Sequence, residues 1–298
     1  METTNRPTPT TSPQSGMPTQ ENPTFNILTD GLDFPEGPAF DPSGNLWCTE
    51  MGNGNLILWS QGQVERFPTQ GKPNSLAFDR QGRVWICDSA QNAIRRFDPS
   101  SQTWETMADQ IDGKTLQTPN DLAFDALGNL VFTNPNYQDE RKLGYIGCLS
   151  PDGKTKLIAE NMYRPNGLDF VNQGKELVVA DTYMKALYRG VWNAKTLEWI
   201  EPKSWVEVGG REGPDGMASS KDELIYCAVF GDGIIKVIDL QGKVIAQHHI
   251  PGMNPTNAAI DPGGRLGLVV TEAEKGLLIS LPGINARPAI FDGGEAWS

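Results

Sequence analysis

The stretch PEGPAFDPSGNLW at residues 35–47 decides the reading of this chain, because it returns. Its outline reappears as PNSLAFDRQGRVW from Pro73, PNDLAFDALGNLV from Pro119 and PNGLDFVNQGKELVV from Pro165, then as PDGMASSKDELIY from Pro214 and PTNAAIDPGGRLGLVV from Pro255. The residues after each proline are Glu36, Asn74, Asn120, Asn166, Asp215 and Thr256, spaced by 38, 46, 46, 49 and 41 residues. Repeats of that length fit units of about four short strands, the period of propeller blades. Each copy reads as a short strand, a turn carrying Asp and Gly, a more apolar strand such as 45–49 or 83–87, and two further strands. The turns DPSGN, DRQGR and DALGN supply the positive-φ glycine that a strand-to-strand reversal needs. The expectation is an all-β, six-bladed β-propeller with four-stranded blades.

The last copy has three strands, ending near Leu281, and lacks a fourth. Residues 25–30 precede the first copy just as 64–68 precede the second. An N-terminal strand is therefore expected to close the last blade, removing two exposed sheet edges at once; residues 288–291 are the competing candidate. Ahead of the first strand, residues 1–22 are rich in Thr, Pro, Ser and Gln. Such a segment buries too little apolar surface to offset its ordering entropy and reads as a disordered tail. That leaves 23–298 as a single propeller domain, although 298 residues would by length alone suit two domains.

Composition narrows the function. With 25 Lys and Arg against 37 Asp and Glu, the formal net charge is −12. No basic stripe is present, so nucleic acid is not an expected partner. No apolar run approaches the ~18 residues of a membrane span. The first residues lack the charged and apolar regions of a secretory signal, so a cytoplasmic location is expected. Cys48, Cys87, Cys148 and Cys227 are far apart and sit in apolar segments, reading as buried reduced thiols. The histidines, His248 and His249, are adjacent in a strand and point to opposite faces, which argues against a zinc cluster and against a Ser-His-Asp triad.

In a propeller the innermost strands line a channel, so equivalent positions of successive repeats converge on its axis. Glu36, Asn120, Asn166 and Asp215, with Asn74 between, would then face one another. Carboxylates brought together in a narrow channel repel and resist desolvation, and a cation resolves the conflict. An all-oxygen donor set favours Ca²⁺, Mg²⁺ or Mn²⁺. Four protein oxygens leave open positions on Ca²⁺, which takes 6–8 ligands, so water and a substrate oxygen can enter. The plainer reading is that Asn, Asp and Glu after Pro are turn formers. A purely structural repeat would keep one residue type, whereas here the residue varies while the flanking Pro and Gly persist. Around this ring, Tyr137 or Arg141 in the polar loop 134–142 is placed to touch substrate, a solvated loop being the alternative. Tyr163, Arg164 and Met184 are further candidates.

At these residues the chain resembles the regucalcin (senescence marker protein) and gluconolactonase family of six-bladed propellers. The motifs that carry it are PEGPAF at Glu36, PNSLAFD at Asn74, TPNDLAFD at Asn120, RPNGLDF at Asn166 and GPDGMA at Asp215. The resemblance covers about residues 25–281 and implies a metal-dependent lactonase. It implies that Glu36, Asn166 and Asp215 bind one divalent metal, commonly Ca²⁺ (Zn²⁺, Mn²⁺ or Mg²⁺ being alternatives), with Asp215 also the catalytic base. It further implies that Asn120 contacts metal-bound water or substrate. Asn74, Thr118 and Tyr137 complete the expected substrate-binding set. Family members that act on sugar acids often carry Arg where this chain has Thr118. Many bacterial members have TDP where it has Thr133-Asn134-Pro135, so that Asp's role, in an auxiliary cation site or in loop shape, is open here.

The activity implied is opening of a sugar or aldonic-acid lactone such as gluconolactone, by polarising the carbonyl and assisting attack by water. A phosphotriester-type hydrolase on the same metal site and a non-catalytic calcium-binding scaffold are the alternatives. The expected partner is a small-molecule lactone, with the protein a monomer or a small homo-oligomer.

Overall fold

The structure, a computed structural model, describes residues 24–137 and 143–289. The expected tail at 1–22, Arg141 and the end of the 288–291 segment lie outside the described residues. Among the described residues there is no helix, and strands form six four-stranded antiparallel sheets. The first blade is typical, running Pro35–Phe40, Leu46–Glu50, Asn55–Ser60 and Gln63–Pro68 from the inside outwards. The innermost strands of the following blades are Pro73–Phe78, Leu122–Phe124, Pro165–Val171, Gly213–Ser219 and Pro255–Ile260. Each packs against the next, and the sixth packs against the first, so the ring is closed. A short hairpin between blades two and three, Gln110–Ile111 with Lys114–Thr115, was not foreseen from the sequence.

Closure of the last blade follows the expectation. Asn26–Thr29 pairs antiparallel with Leu277–Leu281, placing Asn26 opposite Ser280 and Ile27 opposite Ile279. The rival segment goes elsewhere: Pro288 bridges Ser220, and the Ala289 amide donates to Ser219 O at 3.0 Å, against the fifth blade. A second clasp joins last blade to first near the axis, where Thr256 Oγ1 donates to Pro35 O at 2.8 Å.

The second strand of each blade is sandwiched between two neighbouring blades. Leu46–Glu50 and Val84–Asp88 are accordingly buried along their whole length, and their sequences run apolar rather than alternating. Between blades one and two, Trp47, Leu56, Leu76, Val84, Ile86 and Phe97 form one such layer. All four cysteines are free and buried.

The repeated Asp of each FD turn is structural. Asp41 Oδ1 accepts from the amides of Ser43 and Asn45, both at 2.9 Å, and Asp125 Oδ1 from those of Leu127 and Asn129 at 2.8 and 2.9 Å. Such Asx turns reverse the chain after the inner strand. These turns mark one end of the channel, and the Pro-led starts of the inner strands mark the other.

Candidate metal and substrate site

Each inner strand breaks its pairing register where the motif residue sits. The irregularity falls between Glu36 and Ala39, Pro73 and Leu76, Pro165 and Leu168, Pro214 and Met217, and Pro255 and Asn257. A bulge bends a strand and re-aims its side chains. In the third blade ladder pairing begins only at Leu122, and Asn120 is held instead by its own amide donating to Thr133 O at 3.0 Å. Threonine hydroxyls tie neighbouring blades at this level: Thr133 Oγ1 donates to Asn166 O at 2.7 Å and Thr182 Oγ1 to Pro214 O at 2.8 Å. The strands approach so closely that a Cβ on Gly167 would stand 2.3 Å from Asp215 O. Only glycine fits there.

Glu36, Asn74, Asn120, Asn166, Asp215 and Thr256 are all buried. The Asn166 side chain stands beside the Asp215 carboxylate and the Thr256 side chain beside that of Glu36, and each favours the charged form. Burial pushes the Glu36 carboxyl well above the usual range, and the charges of Asp215 and Asp121 push it further. Asp215 is raised likewise by burial and then by Asp121. Asp121 is itself pushed up to about 6 by burial, against hydrogen bonds from Ser75, the Leu168 amide and the Leu122 amide. Three carboxylates thus share one poorly solvated channel. None of the ion pairs among the described residues involves them.

Buried like charges with no cationic side chain beside them, and hard oxygen donors only, fit a divalent cation. Among the described residues, no three His, Cys, Asp or Glu side chains form a metal cluster by themselves. A cation at Glu36 and Asp215 would therefore need amide oxygens to complete its shell. A cavity of about 790 Å³ opens at the turn end of the channel, lined in part by Asp121, Asp169, Ser219 and Asn257. It includes neither Glu36 nor Asp215. The reactive groups, not the larger void, locate the site.

Asp121 was missed in the sequence, although it follows Asn120 directly and is the acidic residue at a position where the other copies have Gly, Ser or Asn. Asp169, also pushed up to about 6 by burial, was missed too. Of the expected substrate-side residues, Asn74 turns its Nδ2 towards Met51 Sδ at 3.7 Å. Thr118 adopts φ of 56°, strained for a β-branched residue. Its hydroxyl donates to Gln117 O at 2.6 Å and accepts from the Tyr137 amide at 3.1 Å, so its contacts fix Tyr137. Tyr137 is nearly half exposed, yet its hydroxyl accepts from Asn166 Nδ2 at 3.2 Å. Burial of that phenol raises it, with Asp215 and Glu36 adding to the effect. Tyr163 and Met184 are exposed, whereas Arg164 is buried.

Asn134 gains a physical meaning from its equivalents. In four other blades the residue ending the second strand is acidic and collects loop amides. Glu50 accepts from the Asp33 amide at 3.1 Å, Asp88 from that of Lys72 at 3.0 Å, Asp181 from those of Tyr163 and Arg164 at 2.8 and 3.0 Å, and Glu272 from that of Asn254 at 2.9 Å. A carboxylate at this place shapes the loop. Asn134 instead donates to the Tyr145 hydroxyl at 2.9 Å, and its buried Oδ1 has no donor among the described residues.

The chain is 26% identical over 241 residues to a gluconolactonase of Zymomonas mobilis, covering 70% of this chain and 67% of the relative. It is 26% identical over 239 residues to lactonase drp35 of Staphylococcus aureus, covering 77% and 74%. The fold matches that of a calcium-binding protein, regucalcin, from Agrobacterium tumefaciens with a TM-score of 0.78 at 22% identity, over 89% of this chain and 95% of the other. Residues 34–274, which include every inner strand, match the SMP-30/Gluconolactonase/LRE-like region, and the chain belongs to that family.

Proposed function

We propose that this protein is a divalent-cation-dependent hydrolase that opens a sugar lactone of the gluconolactone type. Ca²⁺ is the preferred ion, and Zn²⁺, Mn²⁺ and Mg²⁺ are the others the oxygen donors can hold. The observation that carries the reading is the pair Glu36 and Asp215, buried together with raised carboxyls beside Asn166. The names of the relatives, gluconolactonase and lactonase, supply the substrate class.

Glu36, Asn166 and Asp215 would hold the ion. When bound, it supplies a Lewis acid for the ester carbonyl and for the negative charge that develops on its oxygen. Asp215 takes a proton from the attacking water as that water adds to the acyl carbon. The ring C–O bond then breaks, and the departing oxygen receives the proton back, leaving an open hydroxy acid. Asn120 orients the water or the lactone oxygens. Asn74, Thr118 and Tyr137 form the substrate side, Thr118 through its hold on Tyr137. The low-dielectric channel strengthens each of these contacts.

The test is hydrolysis of gluconolactone, galactonolactone, xylonolactone and aliphatic lactones after chelation and re-addition of single metals. Metal-restored turnover of a sugar lactone, lost in Asp215→Ala with the fold intact, supports the reading. Turnover that persists in both Asp215→Ala and Glu36→Ala overturns the site.

A further inference from the structure

Arg164 is a buried cation with an unmet need. The residue is 2% exposed, and its guanidinium lies 4.7 Å from the centroid of the Tyr183 ring and 5.5 Å from that of Tyr137. Nη1 donates to Pro135 O at 2.9 Å and to Tyr163 O at 3.4 Å. Nε, also buried, has no acceptor among the described residues. No carboxylate stands at ion-pair distance among the described residues. Arg95 and Arg189 differ in having a carboxylate, since Asp88 pairs with the first at 2.8 Å and Glu176 with the second, although the buried Nε of Arg189 also lacks an acceptor.

A guanidinium does not shed its proton, so burial without an anion leaves its charge uncompensated. Two ring faces soften that cost, and cation–π contact is strongest when desolvated. They cannot accept the in-plane Nε–H. The Nε edge of an arginine is one side of the fork that receives a carboxylate through two parallel hydrogen bonds. The backbone that carries the side chain is held in place, because Asp181 accepts from the amides of Tyr163 and Arg164.

The position matters as much as the charge. Arg164 lies two residues before Asn166, and its guanidinium stands over the ring of Tyr137, whose hydroxyl accepts from Asn166 Nδ2. The other wall, Tyr183, is more than half exposed, so the guanidinium is screened from solvent by a side chain that has room to turn. An anion docked there would belong to a molecule whose other end reaches the Glu36–Asp215 end of the channel.

We propose that Arg164 is a specificity-determining residue that receives a free carboxylate on the substrate, so that the preferred lactones are those formed from hydroxy dicarboxylic acids. This rests on the lactonase reading for the reaction and on the arginine alone for the substrate class. The experiment uses the full chain with Ca²⁺ and a matched pair, 5-oxotetrahydrofuran-2-carboxylate and its carboxamide. The wild type is expected to favour the carboxylate by roughly 10- to 100-fold in kcat/KM, expressed in KM. Arg164→Gln should erase that preference and Arg164→Lys should restore part of it. Equal rates on the two lactones in the wild type, or an equal loss on both in Arg164→Gln, would overturn the proposal. Should Arg164→Gln fail to fold, the wild-type pair and Arg164→Lys decide the matter. If neither lactone of the pair is hydrolysed while gluconolactone is, the proposal is overturned; if gluconolactone is not hydrolysed either, the lactonase reading fails separately. Calorimetric titration with 2-hydroxyglutarate then tests the arginine: binding weakened in the variants supports it, and binding that is absent or unchanged overturns it.

Discussion

Asn166 Nδ2 and the Tyr137 hydroxyl stand 3.2 Å apart, joining a loop of the third blade to the inner strand of the fourth. The same Asn166 side chain stands beside Asp215 and eases its ionisation. The phenol thus steadies a proposed ligand without being one. Tyr137→Phe removes one neutral hydrogen bond, a net effect of about 0.5–1.5 kcal/mol. The expected result is a KM for lactone raised by roughly 2- to 10-fold with kcat little changed, read from steady-state kinetics. A collapse of kcat would assign Tyr137 to the chemistry instead.

Glu36 and Asp215 set function against stability. Each is buried; Asp215 raises the cost of ionising Glu36, and Asp121 raises that of both. Glu36→Gln keeps the shape and removes one of the facing charges. The chelated protein should therefore melt higher in Glu36→Gln than in the wild type, while the upward shift that Ca²⁺ gives the wild type is lost. Differential scanning fluorimetry with and without chelator reads both effects. A Ca²⁺ shift that survives in the variant would remove Glu36 from the cation site.

The same carboxylates fix the sign of the pH dependence. Asp121 and Asp169 are pushed up to about 6 from an ordinary 3.8, and Glu36 and Asp215 are also raised. Between those values the folded chain binds more protons than the unfolded one, so stability falls as pH rises through the window from about 4 to about 6. For the chelated protein, urea unfolding should show this group's contribution declining across that window. It should decline less in Asp169→Asn, which removes one of the raised groups without touching the ring. Ca²⁺ competes with protons for Glu36 and Asp215, whose carboxyls are also raised, so its stabilisation should grow as pH rises. A wild type and Asp169→Asn with identical profiles would contradict the assignment.

Most of the architecture was legible because repeat length and the Pro-x-Gly outline are consequences of one geometry. The register breaks at Glu36, Asn166 and Asp215 each follow the proline that recurs in every copy, and the close packing at Gly167 calls for the glycine that the Glu36 and Asp215 copies share. The strand that closes the ring was legible for a similar reason, since residues 25–30 stand in the relation to the first copy that 64–68 hold to the second. Asp121 was not legible, because its role depends on Ser75, Leu168 and Asn257 from three other blades. Nor was the isolation of Arg164. An arginine in a sequence carries no sign of whether an acid will meet it, and Arg95 and Arg164 look alike until their neighbours are in place.

Gly167 allows the geometry to be tested without altering any charge. Its Cβ position lies 2.3 Å from Asp215 O and 2.6 Å from Gly216 Cα, both backbone atoms of the neighbouring inner strand. Backbone cannot swing aside as a side chain does, so Gly167→Ala must push the fourth and fifth blades apart at the ring. Overpacking of this kind costs about 1–3 kcal/mol. The displaced atom belongs to Asp215, so Ca²⁺ affinity should fall along with stability. Gly44→Ala is the control: its φ of 82° makes alanine strained, but nothing lies within 4 Å of the new methyl. It should lose about 1 kcal/mol of stability from backbone strain alone and retain its Ca²⁺ affinity. Urea unfolding and calorimetric titration of Ca²⁺ on both variants measure the two quantities side by side. If Gly167→Ala loses stability but binds the ion as the wild type does, Asp215 does not sit where the cation is held.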